Sequence, residues 1–138
     1  GSFILNLSSE ESYHFRKFGE HIGLAYQIQD DLLEVFADSK KMNKSLHSDF
    51  LLDKKTYPWI LSISEDRERM LEIKGIMHKD VDDGILKYRE FLNKSGIKNQ
   101  ITDRIEEYIN LAKSELDNIN VDTTEIVMFS DLILNREY

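Results

Sequence analysis

The sequence contains no cysteine, and that single absence removes several chemistries at once: no disulfide framework, no thiolate metal site and no cysteine nucleophile. It fits a reducing compartment, and the cytoplasm is the expected location. No apolar run of about 18 residues and no signal-peptide pattern occurs, so no segment reads as a transmembrane span. Positive charge is also scarce. Lys and Arg number 18 against 26 Asp and Glu, a formal charge of −8, and no basic stripe breaks the acidic surface. Such a surface repels a phosphate backbone, so no nucleic-acid partner is expected. Proline occurs once, at Pro58, and glycine six times, with no repeat, low-complexity tract or interdomain linker.

What is present suffices for a core. The 138 residues are 41% hydrophobic and 32% charged, and a chain of this size buries roughly two thirds of the surface it exposes when unfolded. Gly1-Ser2 reads as a scar of tag removal. Apolar residues recur at three- and four-residue spacing almost throughout, and strict alternation is absent, so the fold class is all-α. Ser8 with Glu11, and Ser9 in the next register, mark the start of a first helix running to Phe36, roughly 40 Å long at 1.5 Å per residue. The polar stretch from Ala37 to Asp53 reads as a loop. Thr56-Tyr57-Pro58 opens a short helix to Ile63, because proline is tolerated in a first turn. Helices are expected over Glu65–Met77, Asp80–Lys94, Ile97–Ile119 and Thr124–Asn135, with Gly96 as a terminator.

Around the first helix, at about 100° per residue, Glu20, Gly23, Gln27, Asp30, Asp31, Glu34 and Asp38 gather in roughly 100° of arc. Nearly all the rest is apolar, which predicts a helix buried on several sides. Asp30, Asp31 and Glu34 then form a narrow anionic stripe with no Lys or Arg at neighbouring turns of the helix. A solvated acidic face is the plain alternative. On a buried helix, however, unpaired carboxylates repel one another and their pKa values rise unless a cation neutralises them. Mg²⁺ suits best, because it takes one or two carboxylates and keeps waters or substrate phosphates in its other positions. Lys40, Lys41, Lys44, Lys54 and Lys55 lie downstream; some of them are expected to fold back and meet the anionic end of a metal-bound substrate, while any single one reads equally as a solvated loop lysine. Carboxylates, metal and lysines together make a diphosphate site.

The run GLAYQIQDDLLEVFADSKK, followed by NKSLHSDFLLDKKTYP, resembles the second aspartate-rich region of the trans-isoprenyl diphosphate synthases, the farnesyl and geranylgeranyl diphosphate synthase (polyprenyl synthetase) family. That family carries DDxxD followed by Gly-Lys, Gly-x-Asp and Lys-Lys/Arg-Thr. The match covers about 40 residues well, and the ending LILNREY looks like the family's C-terminus. The resemblance implies an all-α isoprenoid synthase fold with two aspartate-rich motifs facing across a cavity. It implies a prenyltransferase in which Mg²⁺ binds and ionises an allylic diphosphate, and isopentenyl diphosphate attacks the cation. By position, Asp30, Asp31 and Glu34 would be metal ligands, directly or through water. Tyr26 and Gln27 would face the substrate, while Lys44 and Lys54 would hold the allylic diphosphate and stabilise it as a leaving group.

Several positions depart from the pattern. Glu34 stands where Asp is usual, Asn43 and His47 replace the two loop glycines, and Phe50 replaces an Ile. The first aspartate-rich motif is missing; Asp82-Asp83 lacks its third carboxylate and reads as the dipole-favoured start of a helix. Residues 3–138 therefore look like the C-terminal half of the synthase domain, expected to be inactive alone. Its partners would be the missing N-terminal half or, by self-association as a homo-oligomer, a second copy covering exposed apolar area. A non-catalytic helical regulatory or scaffold subunit with a decayed site is the competing reading, and a terpene cyclase ranks below both. His14 and His21, lacking a carboxylate at metal-ligand spacing, read as packing residues, His78 as a helix-end residue, and Trp59 as core. No Ser-His-Asp set or glycine-rich phosphate loop is identifiable.

Overall fold

Seven α-helices make up the computed structural model, which describes residues 7–38, 40–120 and 122–135; no strand occurs among the described residues. They are α1 (Ser9–Phe36), α2 (Lys40–Leu51), α3 (Tyr57–Glu65), α4 (Arg67–Lys79), α5 (Val81–Lys94), α6 (Ile97–Leu116) and α7 (Thr124–Leu134). The all-α expectation holds. Gly1-Ser2, read as a scar of tag removal, and the final Arg136-Glu137-Tyr138 lie outside the described residues.

Helix ends follow local chemistry. At α1, the Ser8 N–H donates to Glu11 Oε1 at 3.2 Å and the Glu11 N–H to Ser8 Oγ at 3.1 Å, a reciprocal capping box. Thr56 Oγ1 accepts the Trp59 N–H at 3.4 Å to open α3, with Pro58 in its first turn. Asp66 is shared, ending α3 and capping α4 through the Arg69 N–H at 3.0 Å. This places the start of α4 at Arg67, not Glu65, which belongs to α3. Asp80 caps α5 through the Asp83 N–H at 3.2 Å, and Asp82-Asp83 occupy the first turn, where the helix dipole favours them. Gly96, at φ +81°, separates α5 from α6. The last long helix stops at Leu116, short of Ile119.

One expectation fails outright. The segment read as a loop from Ala37 to Asp53 contains α2. Met42, Leu46 and Phe50 recur every four residues, and Leu46 and Phe50 are buried while Lys40, Lys41 and Lys44 are exposed. Asn43 and His47, which stand at the family's loop glycines, both lie inside α2. A side chain in place of glycine restricts the backbone and makes a helix cheaper in conformational entropy. Leu52 and Asp53 then turn the chain, with Asp53 at φ 53° and its carboxylate ion-paired to Lys74.

The chain divides into two units, and both boundaries fall inside helices. One unit runs from Ile28 to Asp103. Its centre is the α4–α5 pair, with Met70, Ile73, Met77, Ile85, Tyr88 and Leu92 all at most 2% exposed. Gly84 is required there: a Cβ on it would lie 2.5 Å from the Met77 Cα, so the two backbones touch. Phe50 of α2, Trp59 of α3 and Tyr88 of α5 pack edge to face with centroids 4.8–6.4 Å apart. Trp59, expected to be core, packs in this cluster but is only half-buried.

The other unit takes the chain up to Gln27 together with the chain from Arg104 onward. Phe18, Ala112, Leu116 and Ile119 form its core, flanked by Phe15, Ile22, Ile126 and Val127. His14 has a partner the sequence did not suggest, since its Nδ1 lies 2.6 Å from Glu115 Oε2, 101 residues away. His21 stacks on Tyr108. Glu11 also accepts the Asn120 N–H at 2.8 Å, and that bond holds its carboxyl below the ordinary range. Met128, Phe129 and Leu132 of α7 remain 65–74% exposed.

The apolar circumference of α1 is only partly covered. Phe18, Ala25, Ile28 and Val35 are buried, Ile22, Tyr26, Leu32, Leu33 and Phe36 are half-buried, and Leu24 is exposed.

Candidate functional site

The acidic stripe of α1 passes from solvent into the protein along its length. Glu20, Gly23 and Gln27 are exposed, Asp30 and Asp31 half-buried, and Glu34 only 8% exposed. Asp31 is not unpaired, because the Tyr57 N–H at the start of α3 donates to its Oδ2 at 3.1 Å. This N–H is one of the first-turn donors a helix cannot satisfy internally, so a carboxylate there satisfies it and meets the positive end of the dipole. Asp31 thereby ties α1 to the segment carrying Lys54, Lys55 and Thr56.

Glu34 lies in a different environment. Burial, reinforced by the Asp49 carboxylate of α2, pushes its carboxyl up to about 7, with Ser45 and Lys54 opposing. Its Oε1 is buried without a hydrogen-bond partner. Asp49 in turn faces Lys54: Nζ lies 3.6 Å from Asp49 Oδ2, and the Lys54 N–H donates to the Asp49 carbonyl at 2.9 Å. The phenol of Tyr88 borders the same acidic group; burial first, then the charges of Asp31 and Glu34, hold it well above its usual range.

Of the residues singled out from sequence, Glu34 and Lys54 are brought together through Asp49, and Asp31 is held by the Tyr57 N–H. Lys44 stands on the exposed side of α2, Tyr26 is half-buried and Gln27 exposed. Asp49 and the Tyr57 N–H are the members sequence reasoning missed. The signal for Asp49 was available, since it occupies the Asp of the Gly-x-Asp element. Nothing in the sequence announces a backbone N–H.

The donor set suits a hard cation. Asp30 and Asp31 offer carboxylate oxygens from half-buried positions, and Mg²⁺ needs one or two of these, completing its shell with water and substrate phosphates. Among the described residues no three His, Cys, Asp or Glu side chains form a ready-made cage. Glu34 fits less well, being held by its surroundings close to its protonated form. No helix among the described residues is long and apolar enough to cross a membrane.

Comparison with known proteins shows the family. The polyprenyl synthetase family matches residues 1–91. The chain is 38% identical over 68 residues to the heterodimeric geranylgeranyl pyrophosphate synthase large subunit 1 of Arabidopsis thaliana, covering 49% of this chain and 18% of that protein. It is 36% identical over 91 residues to the short chain isoprenyl diphosphate synthase of Methanocaldococcus jannaschii, covering 63% and 27%. It is 31% identical over 93 residues to the farnesyl diphosphate synthase of Geobacillus stearothermophilus, covering 64% and 31%. The chain spans 18–31% of the length of the curated relatives it matches. No solved structure matches it significantly.

Proposed function

The chain belongs to the polyprenyl synthetase family, and from that premise we propose that it is the C-terminal half of a Mg²⁺-dependent prenyltransferase joining an allylic diphosphate to isopentenyl diphosphate. The observation that supports this reading is Glu34 of α1 lying within the influence of Lys54, which is paired with Asp49, while Asp31 is tied to the N-terminus of α3. Asp30 and Asp31 would hold the cation, with Glu34 as a further donor when ionised. When bound, Mg²⁺ neutralises the diphosphate and makes it a better leaving group.

The chain's own residues do the rest. Lys54 lies just before the Tyr57–Asp31 bond, its ammonium beside Asp49 and within the influence of Glu34, ready to receive phosphate oxygens. Lys44, exposed on α2, is a second cation for the diphosphate. Asp49 keeps Lys54 from ranging freely through an ion pair loose enough to exchange for phosphate. Lacking the first aspartate-rich motif, this chain alone binds diphosphate without elongating it.

Titration with Mg²⁺ and inorganic pyrophosphate tests this. Binding is expected only with the metal present, and Asp30→Ala should weaken it by at least about tenfold, the order lost when a metal-site carboxylate is disturbed. Metal-independent binding, or an unaffected Asp30→Ala, would favour the non-catalytic subunit instead. Incubation with farnesyl diphosphate, isopentenyl diphosphate and Mg²⁺ should give no product; robust elongation would refute the half-domain reading.

Self-association belongs to the same proposal. Met128, Phe129 and Leu132 present a large apolar surface on α7, and such surface tends to be covered by a partner. Light scattering at micromolar concentration should find dimers or larger species. A monodisperse monomer would count against it.

A further inference from the structure

The end of α1 lacks the usual local help. No Lys, Arg or His lies in its last turn, although the final carbonyls of a helix need donors and carry the negative end of the dipole. The help comes from α5. Arg89 Nε donates to the Val35 carbonyl at 2.6 Å and Nη2 to the Ala37 carbonyl at 3.0 Å, while Nη1 lies 4.0 Å from Asp38 Oδ1. Its side chain is 19% exposed, against full exposure for Asp38. A guanidinium suits this task because its planar fork addresses two carbonyls at once, which a single ammonium cannot do in the same geometry.

Two further contacts give this cap a reach beyond α1. Gly84 seats α5 against the α4 backbone, so Arg89 projects from a fixed base. Tyr88, the residue before it, packs on Phe50 of α2 at 5.4 Å. Adjacent residues of α5 therefore hold the α1 side of the α1–α2 corner and, through Phe50, the far end of α2. That corner sets how Asp30, Asp31 and Glu34 on α1 stand relative to Asp49 and Lys54 at and beyond the end of α2.

We propose that Arg89 is a positioning residue for the cation and diphosphate site, acting by fixing the α1–α2 corner rather than by touching ligand. The inference rests on the functional reading above. Outer-shell residues that orient metal ligands typically contribute 10–100-fold in affinity, and displacement of a ligand set by a fraction of an ångström is enough to cause such losses.

The test compares wild type, Arg89→Ala and Arg89→Lys in two measurements, both well below the unfolding temperature of each. In titrations with Mg²⁺ and pyrophosphate, Arg89→Ala should bind about tenfold more weakly. Arg89→Lys should recover thermal stability more than affinity, because it returns the charge but not the fork. In hydrogen exchange, the amides of the last turn of α1 and of α2 should exchange faster in Arg89→Ala, with those of α7 unchanged. Wild-type affinity in the folded variants would overturn the proposal, as would unchanged exchange at the corner. If wild type itself binds no Mg²⁺–pyrophosphate, the functional reading falls. The exchange result then decides separately whether Arg89 holds the corner. Should Arg89→Ala not fold, Arg89→Lys carries the comparison alone.

Discussion

Gly84→Ala is expected to destabilise the protein by about 2–3 kcal/mol in denaturant unfolding, the size typical of overpacking a tight core. The sign is the informative part. Helix propensity alone predicts a gain of about 1 kcal/mol when a mid-helix glycine becomes alanine. At Gly84 the new Cβ would lie 2.5 Å from the Met77 Cα and 2.9 Å from its backbone nitrogen, so no flexible side chain can yield and one helix must move. Gly75 in α4 provides the control, since a Cβ there meets nothing within 4 Å. Gly75→Ala should stabilise by a few tenths to about 1 kcal/mol. Equal effects at the two positions would show that α4 and α5 do not approach this closely.

Glu34→Gln is expected to stabilise the metal-free protein by about 3 kcal/mol at pH 8 and to change it little at pH 5. The folded-state carboxyl sits at about 7 against an ordinary 4.5, so between those values the folded chain binds more protons than the unfolded one. Stability therefore falls as pH rises through this window, and the full loss is felt above the folded value. The gap amounts to about 3 kcal/mol at 1.36 kcal/mol per pH unit. Glutamine keeps the shape and stays neutral, so its advantage should appear between pH 5 and 8. Unfolding curves in EDTA at several pH values measure this. A difference between variants that does not vary with pH would mean that Glu34 ionises freely at its site.

Much of the fold was readable because its signals are local. The Ser8–Glu11 box, Pro58 at the α3 start, the acidic first turn of α5 and Gly96 each act within four residues. The corners of the fold were harder. The α2 segment reads as polar and lysine-rich, and its helix rests on three apolar residues whose value appears only once Phe50 meets Trp59 and Tyr88. The candidate site divided along the same line. Asp30, Asp31, Glu34 and Lys54 were visible as residue types at motif spacing, whereas the Tyr57 N–H, the Asp49 contact and Arg89 were not. Those three depend on partners 15 to 54 residues away in sequence, and no local pattern encodes which partner will arrive.

The absence of cysteine and of a long apolar run, the helical periodicity and the carboxylate stripe on α1 were determined by sequence alone, because composition and spacing act without reference to distant contacts. Tertiary structure decided how each carboxylate of that stripe behaves. Asp31 meets the free N–H of a helix start, while Glu34, three residues later, is buried against Asp49 and drawn toward its neutral form. Two acidic residues one turn apart on one helix thus differ because solvation and the charges facing them are set by other helices.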